Sequence, residues 1–139
     1  MDGDLQRFVD AQDDGRTYDR ALEELRAGRK RSHWMWFIFP QLTGLGRSAT
    51  AQYYALAGVE QARAYVRDPV LGERLRDCCR ALIELPTSDP VAVLGSVDAQ
   101  KLRSSMTLFE RAAPEDSTFA DVLDKFFSGD RDPLTLDRL

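Results

Sequence analysis

The chain has 139 residues, a formal net charge of −4, 43% hydrophobic and 30% charged residues. That length and composition suit one globular domain over residues 1–139, and the net negative charge argues against a general nucleic-acid coating protein. No apolar run approaches the roughly 20 residues that span a bilayer, and the acidic start Met1-Asp2-Gly3-Asp4 lacks the layout of a secretory signal, so a cytoplasmic protein is expected.

Along the chain, Leu5, Phe8, Val9 and Gln12 fall at i, i+3, i+4 and i+7, which predicts a short helix with one buried face. Thr17 is placed to cap a second helix, in which Tyr18, Ala21, Leu22 and Leu25 repeat that spacing. Gly28 falls where a left-handed residue would close it. Next, Arg29, Lys30 and Arg31 run into the one histidine, His33, and both tryptophans, Trp34 and Trp36. Cations at a helix C-terminus also interact well with its dipole, which is a purely structural reason for them. His33 to Phe39 is apolar on all sides and is read as a buried helix, with Pro40 disfavouring helical backbone at Phe39. Gly44-Leu45-Gly46 makes a turn, after which Ser48 caps a helix containing Tyr53, Tyr54 and Leu56.

The pairs Asp68-Pro69, Asp89-Pro90 and Asp132-Pro133 each set a capping carboxylate before proline at the first helical position. The first opens a long helix burying Leu71, Leu75, Cys78 or Cys79, Leu82 and Leu85; the second opens a short one ending near Gly95. Asp98 is read as the cap of a helix carrying Leu102, Met106 and Phe109. Ser117 is read as the cap of one carrying Phe119, Val122, Leu123 and Phe126, ended near Gly129. The expected fold class is all-α, a compact irregular single-domain helical bundle of about seven to nine helices. Cys78 and Cys79 are adjacent and suit core positions in a reducing compartment; with one histidine and two cysteines, no zinc spacing exists. No cofactor is expected.

The junction of cations and rings suits a ligand whose flat part lies on an aromatic face while an anionic part meets Arg and Lys. His33 is the natural general acid or base, since its unperturbed pKa lies near neutral. Asp124 is a candidate orienting carboxylate. Trp36 or Tyr53 could stack a ring, a contact contributing about 1–3 kcal/mol in single-strand binding systems. Arg29, Lys30, Lys101, Ser104 and Ser105 are candidates for holding the anion, because Lys101 near a helix start with two hydroxyls one turn on resembles a phosphate or carboxylate cradle. Gly46 and Ser48 offer backbone N–H groups at a helix start, and Gln41 completes the candidate set. Ordinary structural roles compete for each residue: a buried satisfied histidine, core tryptophans, a solvated charge run, an exposed lysine beside two serines.

Several stretches together carry a resemblance. They are Phe8-Val9-x-Ala11-Gln12, Gly28-Arg29-Lys30 with Ser32-His33-Trp34-Met35-Trp36-Phe37-Ile38-Phe39-Pro40-Gln41, Gly44-Leu45-Gly46-x-Ser48, Lys101 to Phe109 and Asp124-Lys125-Phe126-Phe127. The chain resembles the bacterial domain of unknown function family 1810, whose members are sometimes mislabelled calpastatin. The resemblance implies a mostly helical single domain and no established activity. The calpastatin label has no physical support, since an inhibitor of that type is a long disordered chain and this one is patterned to fold. A fainter likeness, through Gln52-Tyr53-Tyr54 and the glycine-rich loop, is to NADAR domains, which process ADP-ribose derivatives. The functional expectation is a pocket for a small phosphate-bearing ligand, a nucleotide or ADP-ribose derivative, with hydrolase or transferase as the activity class. The alternative is a non-enzymatic protein-interaction module using the basic and aromatic face.

Overall fold

Helix α1 (Gln6–Asp13) buries Phe8 and Gln12, as the spacing at its start predicts. The structure, a computed structural model, describes residues 5–139; the acidic run with Asp2 and Asp4 lies outside them. Helix α1 passes through a 3-10 turn (Asp14–Arg16) straight into α2 (Thr17–Ala27). Thr17 is therefore the first residue of α2 and not its cap; its hydroxyl donates to the Asp14 carbonyl at 2.6 Å. A cap needs extended backbone, and the continuous turn leaves none there. Gly28 closes α2 at φ 76°, with its amide on the Glu24 and Leu25 carbonyls.

The aromatic run is helical only over α3 (Met35–Ile38), a single turn flanked by non-helical Trp34 and Phe39. His33 lies in the loop before it. Helix α4 (Ala49–Tyr53) is capped by Ser48, whose side chain accepts the Ala51 amide at 3.1 Å. Leu56, expected inside that helix, is instead fully buried opposite Leu42 in an isolated parallel bridge. The chain then forms α5 (Val59–Arg67), which the sequence reading did not separate. Its N-cap, Gly58, makes no side-chain cap bond, so the start carries no capping signal.

All three Asp-Pro pairs open helices: α6 (Pro69–Ile83), α7 (Pro90–Leu94) and, near the chain's end, α10 (Pro133–Asp137), each capped by its aspartate. Between α7 and α10 lie α8 (Ser96–Ala112) and α9 (Thr118–Phe127). Asp98 does not cap α8: the N-cap is Gly95, and Asp98 sits in the first turn, paired with Lys30. Ser117 occupies the N-cap of α9, but its side chain makes no cap bond; the Asp116 carboxylate takes the Thr118 amide at 3.0 Å.

Helix α8 is the organising element, packed against α5, α7, α9 and α10. A row of four buried rings crosses the core from α1 to α9. Phe8, Tyr65, Phe109 and Phe119 follow one another at centroid separations of 5.2, 5.3 and 5.6 Å. Such offset and edge contacts add about 0.5–1.5 kcal/mol per pair to the burial itself. Cys78 and Cys79 are buried free thiols on α6; burial pushes Cys78 up to about 12, so it stays a small apolar core residue. Among the described residues the architecture is all-α, with no strand beyond the isolated bridge.

Candidate functional site

One carboxylate shapes the loop that carries the basic block. Glu24 of α2 is only 8% exposed and accepts the Arg31 amide at 2.7 Å, the Ser32 amide at 3.0 Å, the Ser32 hydroxyl at 2.6 Å and the Trp34 indole N–H at 3.0 Å. Burial opposes its charge, but these donors prevail and hold its pKa down to about 2. With the loop fastened from inside, Arg29, Arg31 and His33 face solvent. His33 is thus outside the core.

Lys30 turns the other way. Its amide donates to the Val93 carbonyl at 2.8 Å, its ammonium lies 3.0 Å from Asp98, and it sits 5.0 Å from the Trp34 ring centroid. From α8, the Lys101 ammonium lies 3.8 Å from the same carboxylate and 5.3 Å from the Trp36 ring centroid. The segments near residues 33 and 101 therefore meet, in the order Trp34, Lys30, Asp98, Lys101, Trp36. The Lys30, Asp98 and Lys101 side chains are 10%, 19% and 24% exposed. Two ammonium groups on one carboxylate leave a positive charge over, and exposed Arg29 and Arg31 add to the local field.

Ser105 is fully buried, and its hydroxyl has no hydrogen-bond partner among the described residues. Helix periodicity puts it on the Lys101 face, one turn further into the core. Ser104 points elsewhere. Its hydroxyl bonds the Gln100 carbonyl at 3.2 Å and the buried Asp132 carboxylate at 2.9 Å, which ties α8 to α10. Asp124 of α9 is 66% exposed and lies 3.8 Å from Arg131, which also pairs with Glu110. Glu110 is nine residues beyond Lys101 on α8, about 13 Å along the axis. Asp124 thus belongs with the far half of α8, and among the described residues no hydrogen bond joins it to His33.

Gln41, Gly46, Ser48 and Tyr53 gather around α4. The Gln41 carbonyl takes the Leu56 amide at 2.9 Å, and Ser48 is occupied as a cap. A Cβ at Gly46 would come within 2.5 Å of the Ala51 Cβ, so this glycine serves the close packing of the turn. Tyr53 is 60% exposed and meets Tyr54 edge-on at 4.8 Å, while its carbonyl takes the Arg7 guanidinium at 2.9 Å. No hydrogen bond, ion pair or ring contact links this group to Lys30 or Lys101 among the described residues. Glu24, a lone acidic residue within a helix, carries no local sequence signal of this role. Asp98, expected as a cap, makes an ion pair with Lys30 instead.

Among the described residues no group of three or more His, Cys, Asp or Glu side chains gathers as a metal site. No helix there is long and apolar enough to cross a membrane. A family model described as "Protein of unknown function (DUF1810)" matches residues 2–139. A solved structure, that of the conserved hypothetical protein Rv1873 from Mycobacterium tuberculosis, is 44% identical, with a TM-score of 0.94 over 98% of this chain and 96% of that one. None of the curated proteins matches the chain.

Proposed function

Because the chain belongs to the DUF1810 family of proteins of unknown function, its activity has to be argued from its own side chains, and we propose that it binds a small phosphate-bearing ligand at the Lys30–Asp98–Lys101 cluster. A nucleotide or ADP-ribose derivative suits the chemistry. The observation that carries this reading is the sharing of one carboxylate by two ammonium groups beside the half-buried Trp36 ring. The phosphate takes Lys101 and Lys30, the flat part lies on Trp36, and Arg29 and Arg31 draw the anion in from solvent. His33, exposed on the same loop, offers a ring N–H to the phosphate. The unpartnered Ser105 hydroxyl lies one turn below Lys101. A hydrolase or transferase role would use His33 as acid or base. Asp124 is held by Arg131 on another element and would have to move to orient it, so binding is the reading carried here.

Thermal-shift measurements with ADP, ADP-ribose and inorganic pyrophosphate at low salt test this. A ligand at 100 times its Kd stabilises by about 2.7 kcal/mol, and Lys101→Met should weaken that ligand at least about tenfold, or about 1.4 kcal/mol. No shift with any of the three rejects the reading. A protein-docking face is the second reading, favoured by Val91 and Val97, 51% and 68% exposed on either side of the Lys30 contact to Val93. It is supported instead if pyrophosphate leaves the protein unchanged while Val97→Asp abolishes a self-association seen in sedimentation.

A further inference from the structure

A hollow at the corner between α1 and α2 is lined by two guanidinium groups and two carboxylates, all outside the Lys30–Asp98–Lys101 cluster. It encloses about 230 Å³ and is lined by Gln12, Asp13, Arg16, Tyr18, Asp19 and Arg74. Its inner wall is fixed. Gln12 is 2% exposed; its amide nitrogen donates to the Phe37 carbonyl at 2.8 Å and the Tyr65 hydroxyl at 3.2 Å, and its oxygen accepts from Arg74 at 3.2 Å. Arg74 reaches in from α6, pairs with Asp13 at 2.8 Å and lies 4.9 Å from the Tyr18 ring centroid. Its guanidinium is thus held from three sides.

The outer wall carries backbone strain. Arg16 adopts φ 58°, directly after Gly15 at φ 59°. A left-handed conformation is natural for glycine and unfavourable for arginine, and such outliers persist where the surrounding structure holds them, often beside a ligand site. Here the Arg16 side chain is 86% exposed, pairs with Asp19 at 3.2 Å, and lines the hollow on its solvent side. The solvent-exposed pair by itself contributes little to stability, so it does not explain the strain.

We propose that this hollow binds a free, small α-amino acid, its carboxylate on Arg74 and Arg16 and its ammonium on Asp13 and Asp19. Charge balance selects a zwitterion. Two positive and two negative side chains sum to zero, so a net anion or a net cation would leave like charges facing each other, whereas a dipolar ligand satisfies both pairs. Asp13 and Asp19 are 58% and 61% exposed, so each can exchange its guanidinium pairing for an incoming ammonium as the ligand carboxylate takes its place, while Gln12 and the Tyr18 ring keep Arg74 in position. The small volume excludes the nucleotide-sized ligand assigned to the Lys101 cluster.

The test is titration of the intact chain, followed by amide chemical shifts, with each of the free amino acids at about 10 mM, ten times a Kd of about 1 mM. One or more small amino acids should shift the amides of residues 12–19, and their N-acetyl amides, which lack both charges, should not. Arg16→Gly relieves the strain, so its Tm should equal or exceed that of the unchanged chain while affinity falls at least about tenfold. The proposal is overturned if no free amino acid binds, if an N-acetyl amide binds as well as its parent, or if Arg16→Gly binds unchanged. A Tm drop in Arg16→Gly would also count against it, since the strained arginine would then be explained by folding.

Discussion

Glu24 shows how one side chain decides the shape of a candidate site. Its ordinary pKa is 4.5 and its folded value is about 2. A carboxyl held low in the folded state stabilises the fold fully above its unfolded value, and that contribution is lost as pH falls through the folded one. The window is therefore pH 4.5 down to about 2, and the contribution is on the order of 3 kcal/mol. Urea unfolding across that window should show the loss in the unchanged chain, and Glu24→Gln should show a flatter profile from a lower starting stability. An unchanged slope would mean that the carboxylate is not charged against its neutral donors. Asp98 poses the opposite question. It stabilises the first turn of α8 through the helix dipole, by about 0.3–1 kcal/mol, yet it sits where an incoming phosphate would go. Asp98→Asn should lower stability slightly and tighten pyrophosphate binding by about tenfold, as read by calorimetry. Weaker binding would show that Asp98 builds the site and does not compete for it.

At the scale of elements, the helix starts with an Asp-Pro pair were legible because cap and first residue are neighbours in sequence. Asp68, Asp89 and Asp132 each satisfy amide groups two or three residues on. Helix α5 was not legible, since Gly58 caps nothing and the signal for its start is tertiary. Its docking depends on Gly72 of α6. A Cβ there would meet the Val66 carbonyl oxygen at 2.0 Å, and backbone cannot yield as a side-chain tip can. Intrinsic propensity would favour Gly72→Ala by about 1 kcal/mol. The contact should win instead, with a net loss of about 2 kcal/mol or more in chemical denaturation. A more stable variant would show that α5 can slide along α6 freely. At Gly46 the close neighbour is instead the Ala51 Cβ of α4, a side-chain atom, which is why that glycine-rich turn reads as packing in the structure.

Across the whole molecule, α8 gathers α5, α7, α9 and α10 while α6 ties α1 and α2 to α5 and α9, so the buried side chains of the described residues form one continuous core. Far-UV ellipticity and the fluorescence of buried Trp34 should lose their signals at the same urea concentration, as a cooperative unit requires. Separate midpoints would divide the chain into independent parts.

The amino-acid order alone was enough for an all-α chain, most of its helix starts, the left-handed close at Gly28 and most of the core, because capping and 3.6-residue periodicity act over a few positions. It also marked Lys30, Trp36 and Lys101 as chemically suggestive. Only the tertiary structure decided that Lys30 joins Lys101 on Asp98 with Trp36 beside Lys101, that Ser104 turns to Asp132, and that Asp124 goes with Arg131. The Lys30–Asp98 and Ser104–Asp132 pairings span tens of residues, and Arg131 reaches Asp124 only because the chain turns back after α9; which partner a long charged side chain meets depends on how helices and turns cross, a geometry that local spacing does not encode.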